Sequence, residues 1–301
     1  MEKTSFYEQI SKNKRNSILL ILFVFLILSA FVYIISQLFD PTTGLLFMII
    51  ALVVILIHTY VSYQYGDRIV LASVNAKPAN EREHAYLINT VEGLAIAAGI
   101  PTPKVYIIES DEMNAFATGK DPQHASVAVT TALLKNLNRL ELEGVIGHEL
   151  SHVKNYDIRF ATLVAVLVGL IAIVSELFIR SWRFRTMGGR GDRDRSGGYM
   201  VILVLVGFLL AILAPIITRL VQAAISRRRE FLADASGAQL TRYPEGLANA
   251  LEKISKVNEG KMLASEAVSH LFFVDPLKSP LDSLFATHPP IKERVKILRA
   301  M

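Results

Sequence analysis

Cysteine does not occur once in the 301 residues, which excludes disulfides, thiolate metal ligands and a cysteine nucleophile together. Any metal must be held by nitrogen and oxygen. Charge is also nearly missing from four long stretches of the chain, and these dominate its character. Apolar residues make up 52% of the sequence and the mean hydropathy is +0.39. That excess is gathered into blocks rather than spread at helix or strand period, which points to a lipid bilayer. The net charge of +5 does not indicate nucleic acid as a partner, because many of the basic residues flank apolar blocks, where headgroup phosphates would meet them.

The first block, about Ser17 to Phe39, carries no charge and is long enough to cross a hydrocarbon core as a helix. A cleaved signal peptide would have a shorter apolar region, and here a second block follows almost at once, so a span is the expectation. Asp40, Pro41 and Gly44 make a tight connection to the second block, about Leu45 to Tyr63, with His58 near one end. Residues 1–66 therefore read as a transmembrane helical hairpin. Lys12, Lys14 and Arg15 precede it and its connection has no basic residue, which predicts a cytoplasmic N-terminus.

Residues 67–159 read as a soluble part. A helix is predicted over Asn80–Ala98, stopped by Gly99 and Pro101, and three β-rich runs follow, Lys104–Glu109, Asn114–Gly119 and Ala125–Thr130. A further helix opens at Asn138, which forms a capping box with Glu141, and runs to about Asn155. Residues 160–225 hold a second hydrophobic pair, about Phe160–Ile179 and Tyr199–Ile217, around a loop with Arg180, Arg183, Arg185, Arg190, Arg193 and Arg195. Two readings compete there. The block lengths favour crossing the membrane, whereas arginines in an outward loop oppose the positive-inside rule and favour a hairpin packed beside the soluble part. Crossing is the expectation adopted, on length. Residues 226–301 read as a soluble, mostly helical part.

The chemistry is concentrated in G-H-E-L-S-H, Gly147 to His152. Histidines four apart on a helix present both imidazoles on one face at chelating distance, and Glu149 is placed to take a proton from an attacking water. Two surface histidines on an amphipathic helix are the plainer alternative, which the helical context weakens. A tetrahedral zinc needs a third protein ligand, which must be Asp, Glu or His in this chain. Glu230 is the best candidate, because Asp234 follows one helical turn later and can accept the outer N–H of a ligating histidine. An ordinary charged helix start after Arg227, Arg228 and Arg229 is the alternative.

With these residues in view, the sequence resembles the HtpX-type membrane metalloproteases, related to the CAAX prenyl endopeptidases. The likeness rests on the N-terminal hairpin, G-H-E-L-S-H, R-E-F-L-A-D from Arg229 to Asp234, and T-H-P-P-I-K-E-R from Thr287 to Arg294. It also includes N-A-F-A-T-G, whose Asn114, Ala115, Phe116, Ala117 and Thr118 look like the family's strand beside the cleft, able to bind an extended peptide by backbone hydrogen bonds. The resemblance implies one zinc ion per chain, endoproteolysis of membrane or misfolded proteins and a role in membrane-protein quality control. Together with the apolar blocks and β-rich runs it leads to a mainly α-helical integral membrane protein, multi-pass in the cell membrane, with a zincin-like α+β metalloprotease domain carrying a small β-sheet, which the positive-inside rule places in the cytoplasm.

The resemblance places His288 and Arg294 near the active site, where His288 would donate to an oxyanion and Arg294 would orient substrate or a carboxylate. Equally, Thr287 could cap a last helix with Pro289 and Pro290 in its first turn and Arg294 could make a structural ion pair. His84, His124 and His270 sit in no ligand-spaced pattern, and His58 reads as interfacial. Processing of CAAX-type peptides shares the same motifs and remains an alternative activity. A transporter or non-proteolytic metal-binding protein is a remote one, since the apolar blocks are nearly free of ionisable residues.

Overall fold

Two helices that expose apolar side chains along much of their length open the chain, seen here in a computed structural model. The structure describes residues 6–36, 41–188, 204–209, 213, 227–258, 262, 266–274, 276 and 289–301. Helix α1 (Phe6–Ser36) and helix α2 (Pro41–Ser73) contain the two described segments long and apolar enough to cross a membrane, Asn13–Ala30 and Thr42–Ser73. Leu19, Leu22, Leu26, Ile50, Val54 and Ile57 are exposed on them. Water would penalise such a surface and lipid would not.

The hairpin does not end at Tyr63. Tyr65 breaks helical geometry at φ −125° and α2 then continues to Ser73, because Val70 and Leu71 have a core to enter. They are buried against Ile108, Phe116 and Ala128 of the sheet. The helix predicted from Asn80 begins instead at Ala85, as α3 (Ala85–Ala98). The Asn80 side chain accepts from the Arg82 and Glu83 N–H groups, holding the chain in a turn. Gly99 ends α3 at φ +70°, its N–H donating to the Ala95 and Ile96 carbonyls.

The three predicted strands are present as β2 (Lys104–Ile108), β3 (Ala115–Gly119) and β4 (Ala125–Thr130), and a two-residue strand, β1 (Lys77–Pro78), was not foreseen. The sheet order is β1-β2-β4-β3; β2 and β4 run parallel, and β3 is an antiparallel edge strand. After α4 (Thr131–Asn136), helix α5 (Arg139–Lys154) starts with the expected capping box. The Glu141 N–H donates to Asn138 Oδ1 at 3.0 Å and the Asn138 N–H to Glu141 Oε2 at 2.8 Å. Val145, Ile146, Leu150 and Val153 of α5 join α3, the sheet and the C-terminal helices in one core. Helix α6 (Asp157–Gly188) carries Arg180, Arg183 and Arg185 within it, so these are not loop residues. A continuous apolar helix loses little by extending through arginine, a good helix former. Arg190, Arg193, Arg195 and most of the fourth apolar block lie outside the described residues.

The C-terminal helices are α7 (Arg227–Thr241), α8 (Pro244–Val257), α9 (Glu266–Ser269) and α10 (Ile291–Leu298). Helix α10 starts after both prolines, with Pro290 at its cap and no side-chain cap bond; Thr287 and His288 lie outside the described residues.

Candidate metal centre

Helix α7 crosses α5 where both are glycine. A Cβ on Gly237 would lie 2.8 Å from the His148 backbone nitrogen, and one on Gly147 would lie 3.3 Å from the Gly237 carbonyl oxygen. This close approach aims Glu230 and Asp234 at the motif helix. The three nominated ligands, separated by up to 82 positions in the chain, meet there as a cluster of ligand atoms within 4.8 Å of one another. The two Nε2 atoms are 3.2 Å apart. His148 Nε2 lies 3.6 Å from one Glu230 oxygen and His152 Nε2 lies 3.5 Å from the other. Metal–ligand bonds of about 2.0–2.2 Å would put neighbouring donors of a tetrahedron about 3.3–3.6 Å apart, so the donor set fits zinc in type and spacing.

Each imidazole is turned by a carboxylate. His148 Nδ1 is 2.9 Å from Asp234 Oδ1, as the i, i+4 spacing of Glu230 and Asp234 suggested. His152 Nδ1 is 3.0 Å from Asp157 Oδ2, a partner that sequence reasoning missed. With Nδ1–H donated outward, both Nε2 lone pairs face Glu230. Asp157 reaches His152 because the chain turns by 86° between α5 and α6, through Tyr156 at φ +59°. A non-glycine residue in that conformation costs roughly 1–3 kcal/mol. Tyr156 is flanked by Lys14, 4.1 Å from its ring centroid, and by Arg159 at 5.5 Å.

Arg294 is fully buried and grips Asp234 with two bonds, Nε to Oδ2 at 2.8 Å and Nη2 to Oδ1 at 2.7 Å. It also donates to the Phe273 carbonyl at 3.3 Å and lies 4.8 Å from that ring's centroid. The geometry of Arg294 is that of a carboxylate-orienting ion pair.

The electrostatics follow from crowded buried carboxylates. Burial alone would pull the His148 imidazole down, but hydrogen bonds to Asp234 and Glu230 outweigh it and push it up to about 9. His152 is likewise raised, burial being overcome by its bond to Asp157 and the charge of Glu230. Asp234 would be raised by burial, yet the charge and hydrogen bonds of Arg294 hold it down to about 2. Glu149 is raised, burial prevailing over the two histidines and over a bond from the Ala117 N–H. A site that attracts positive charge this strongly suits a divalent cation, and a carboxylate with raised affinity for protons suits a general base.

Ala117 N–H belongs to the outward edge of β3, and further groups along that edge are also engaged. The Phe273 N–H donates to the Ala115 carbonyl at 2.8 Å, and the Asn114 side chain bonds both the N–H and the carbonyl of Val274 at 3.1 and 2.7 Å. The Gly119 N–H donates to Thr162 Oγ1 at 3.1 Å. All five residues of β3 are buried. Leu271, Phe272 and Phe273, with His270, line the site together with Glu149, leaving a cavity of about 40 Å³, room for little more than water. His270, unassigned from the sequence, thus borders the site and bonds the Ala161 carbonyl at 3.1 Å.

Comparison with known proteins agrees with the motif reading. The sequence profile of Peptidase family M48 matches residues 81–301. Proteins described as "Protease HtpX homolog" match end to end. That of Caldanaerobacter subterraneus subsp. tengcongensis is 44% identical over 100% of this chain and 99% of its own length. That of Dictyoglomus turgidum is 46% identical over 100% and 96%, and that of Streptococcus pneumoniae R6 is 42% identical over 98% and 99%. The crystal structure of S. mikatae Ste24p shares the fold at 21% identity with a TM-score of 0.50, covering 89% of this chain, which spans 62% of that one. The chain belongs to peptidase family M48, as the HtpX-type motifs implied.

Proposed function

We propose that this M48 protease is a zinc-dependent endopeptidase whose site is built by His148, His152 and Glu230, with Glu149 as general base. The convergence of two imidazoles and a carboxylate at tetrahedral spacing beside a proton-seeking glutamate carries this reading. When bound, zinc supplies Lewis acidity toward the scissile carbonyl and the attacking water. Glu149 takes the proton of that water and passes it to the leaving amine. Asp234 and Asp157 hold the two imidazoles with their Nε2 atoms turned inward, and Arg294 holds Asp234.

An extended peptide would add to the outward edge of β3, in reach of Glu149, after the Leu271–Val274 segment leaves it. With the N-terminus cytoplasmic, the protease part faces the cytoplasm, where loops and tails of membrane or misfolded proteins are the substrates, and quality control of membrane proteins is the role. The test uses the full chain in detergent, with and without Glu149→Gln, loaded with zinc and offered unfolded casein. Cleavage should fall about 10²- to 10⁴-fold in the variant at unchanged zinc content. Equal cleavage by both forms, or no zinc in the parent, would end the proposal. For the strand, cysteines at Asn114 and Val274 should form a bond that stops cleavage and is reversed by reductant; an oxidised form that still cuts would exclude displacement of this segment.

A further inference from the structure

Asn13 opens the membrane-length segment of α1, and in the sequence it is an ordinary polar residue among Lys12, Lys14 and Arg15. In the structure its side chain is buried and reaches the corner between α5 and α6. One amide hydrogen is donated to Asp157 Oδ1 at 2.6 Å and the other to the Asn155 carbonyl at 3.0 Å. Its own oxygen lies 3.4 Å from Arg229 Nη1, which is also 3.7 Å from Asp157 Oδ1. The Asp157 carboxylate is therefore shared. Oδ2 takes the Nδ1–H of His152, while Oδ1 is fixed by an amide that arrives from 144 residues away.

We propose that Asn13, carried by the first membrane helix, is a positioning residue for the metal site, holding the Asp157 carboxylate that orients His152. The inference rests on His152 being a zinc ligand. A carboxylate with both oxygens hydrogen-bonded is restrained against rotation, so the imidazole it holds keeps its Nε2 aimed at the site. Residue 229 precedes Glu230, so the same amide also touches the approach to the third ligand. The docking of a membrane helix is thereby coupled to metal affinity. A simple anchor for α1 would need none of these contacts to fall on Asp157.

The test compares zinc affinity, measured by chelator competition on the full chain in detergent, for the parent, Asn13→Leu and Asn13→Asp. Removing partners that orient metal ligands costs about 10- to 100-fold in affinity, and Asn13 stands one contact further out, so Asn13→Leu should weaken zinc about 3- to 10-fold. Asn13→Asp sets a carboxylate against Asp157 and should weaken it further. Melting measured with excess chelator should change little. In an Asp157→Asn background, Asn13→Leu should have no further effect on affinity, because the path runs through that carboxylate. Parent-like zinc affinity in both variants, additive losses with Asp157→Asn, or a loss matched by an equal drop in chelator-treated stability would each overturn the inference. A parent that binds no zinc would instead remove the proposed function beneath it.

Discussion

His148 and His152 stand one turn apart on a single helix, yet different elements of the protein support them. His148, with 1% of its side chain exposed, is turned by Asp234, which Arg294 pins with two bonds. All of that support comes from the C-terminal helices packed on α5. His152, 16% exposed, is turned by Asp157 beyond an 86° corner, and the groups that reach Asp157 are Asn13 of the first membrane helix and Arg229. One histidine is held by a charge clamp inside the core. The other is held where the protease part meets the membrane helices. Two chemically identical side chains can thus report on different parts of the fold.

Breaking the first flank should have the largest effect on stability. Arg294→Met leaves Asp234 as a buried charge without its principal partner, a loss of about 3–5 kcal/mol, read as denaturant unfolding in detergent. Acid exposes the same clamp. Asp234 is held at about 2 against a reference of 3.8. Its contribution is therefore present above the reference value and is lost as pH falls through the folded one. Arg294→Met should move acid unfolding to higher pH, and an unmoved acid limit would mean the clamp does not govern it. Breaking the second flank with Asp157→Asn should act on affinity more than on stability, weakening zinc about 10- to 100-fold by chelator competition. If both substitutions altered stability and affinity in the same ratio, the contrast between the flanks would fail. The smallest effect is expected from Asn138→Ala at the shared helix start, about 0.5–2 kcal/mol of stability, with the ratio of the two flanks unchanged.

Much of the site was legible because it is written at helical spacing. His148 and His152 are four apart, as are Glu230 and Asp234, and such pairs share a face wherever the helix lies. The capping box at Asn138 and the stop at Gly99 were legible for the same reason, since caps are satisfied by near neighbours. Asp157 was not, although it lies five residues from His152, because its reach depends on a left-handed residue at Tyr156 that no glycine announces. Asn13 and His270 were not legible because their partners lie more than 100 positions away. The start of α3 was missed where the Asn80 side chain outcompeted helical bonding. The occupied edge of β3 was missed because strand pattern does not say what lies beside an edge.

By itself the sequence determined the apolar hairpin, the motif helix and the donor types, since hydrophobic length, i, i+4 spacing and the absence of cysteine are properties of the chain alone. Tertiary structure decided which carboxylate turns which histidine, that Arg294 serves Asp234, and that a membrane helix touches the site. Those outcomes depend on two glycines letting α5 and α7 approach to backbone contact and on one corner at Tyr156. Buried polar groups must find partners wherever packing leaves them, and packing is settled by the whole molecule.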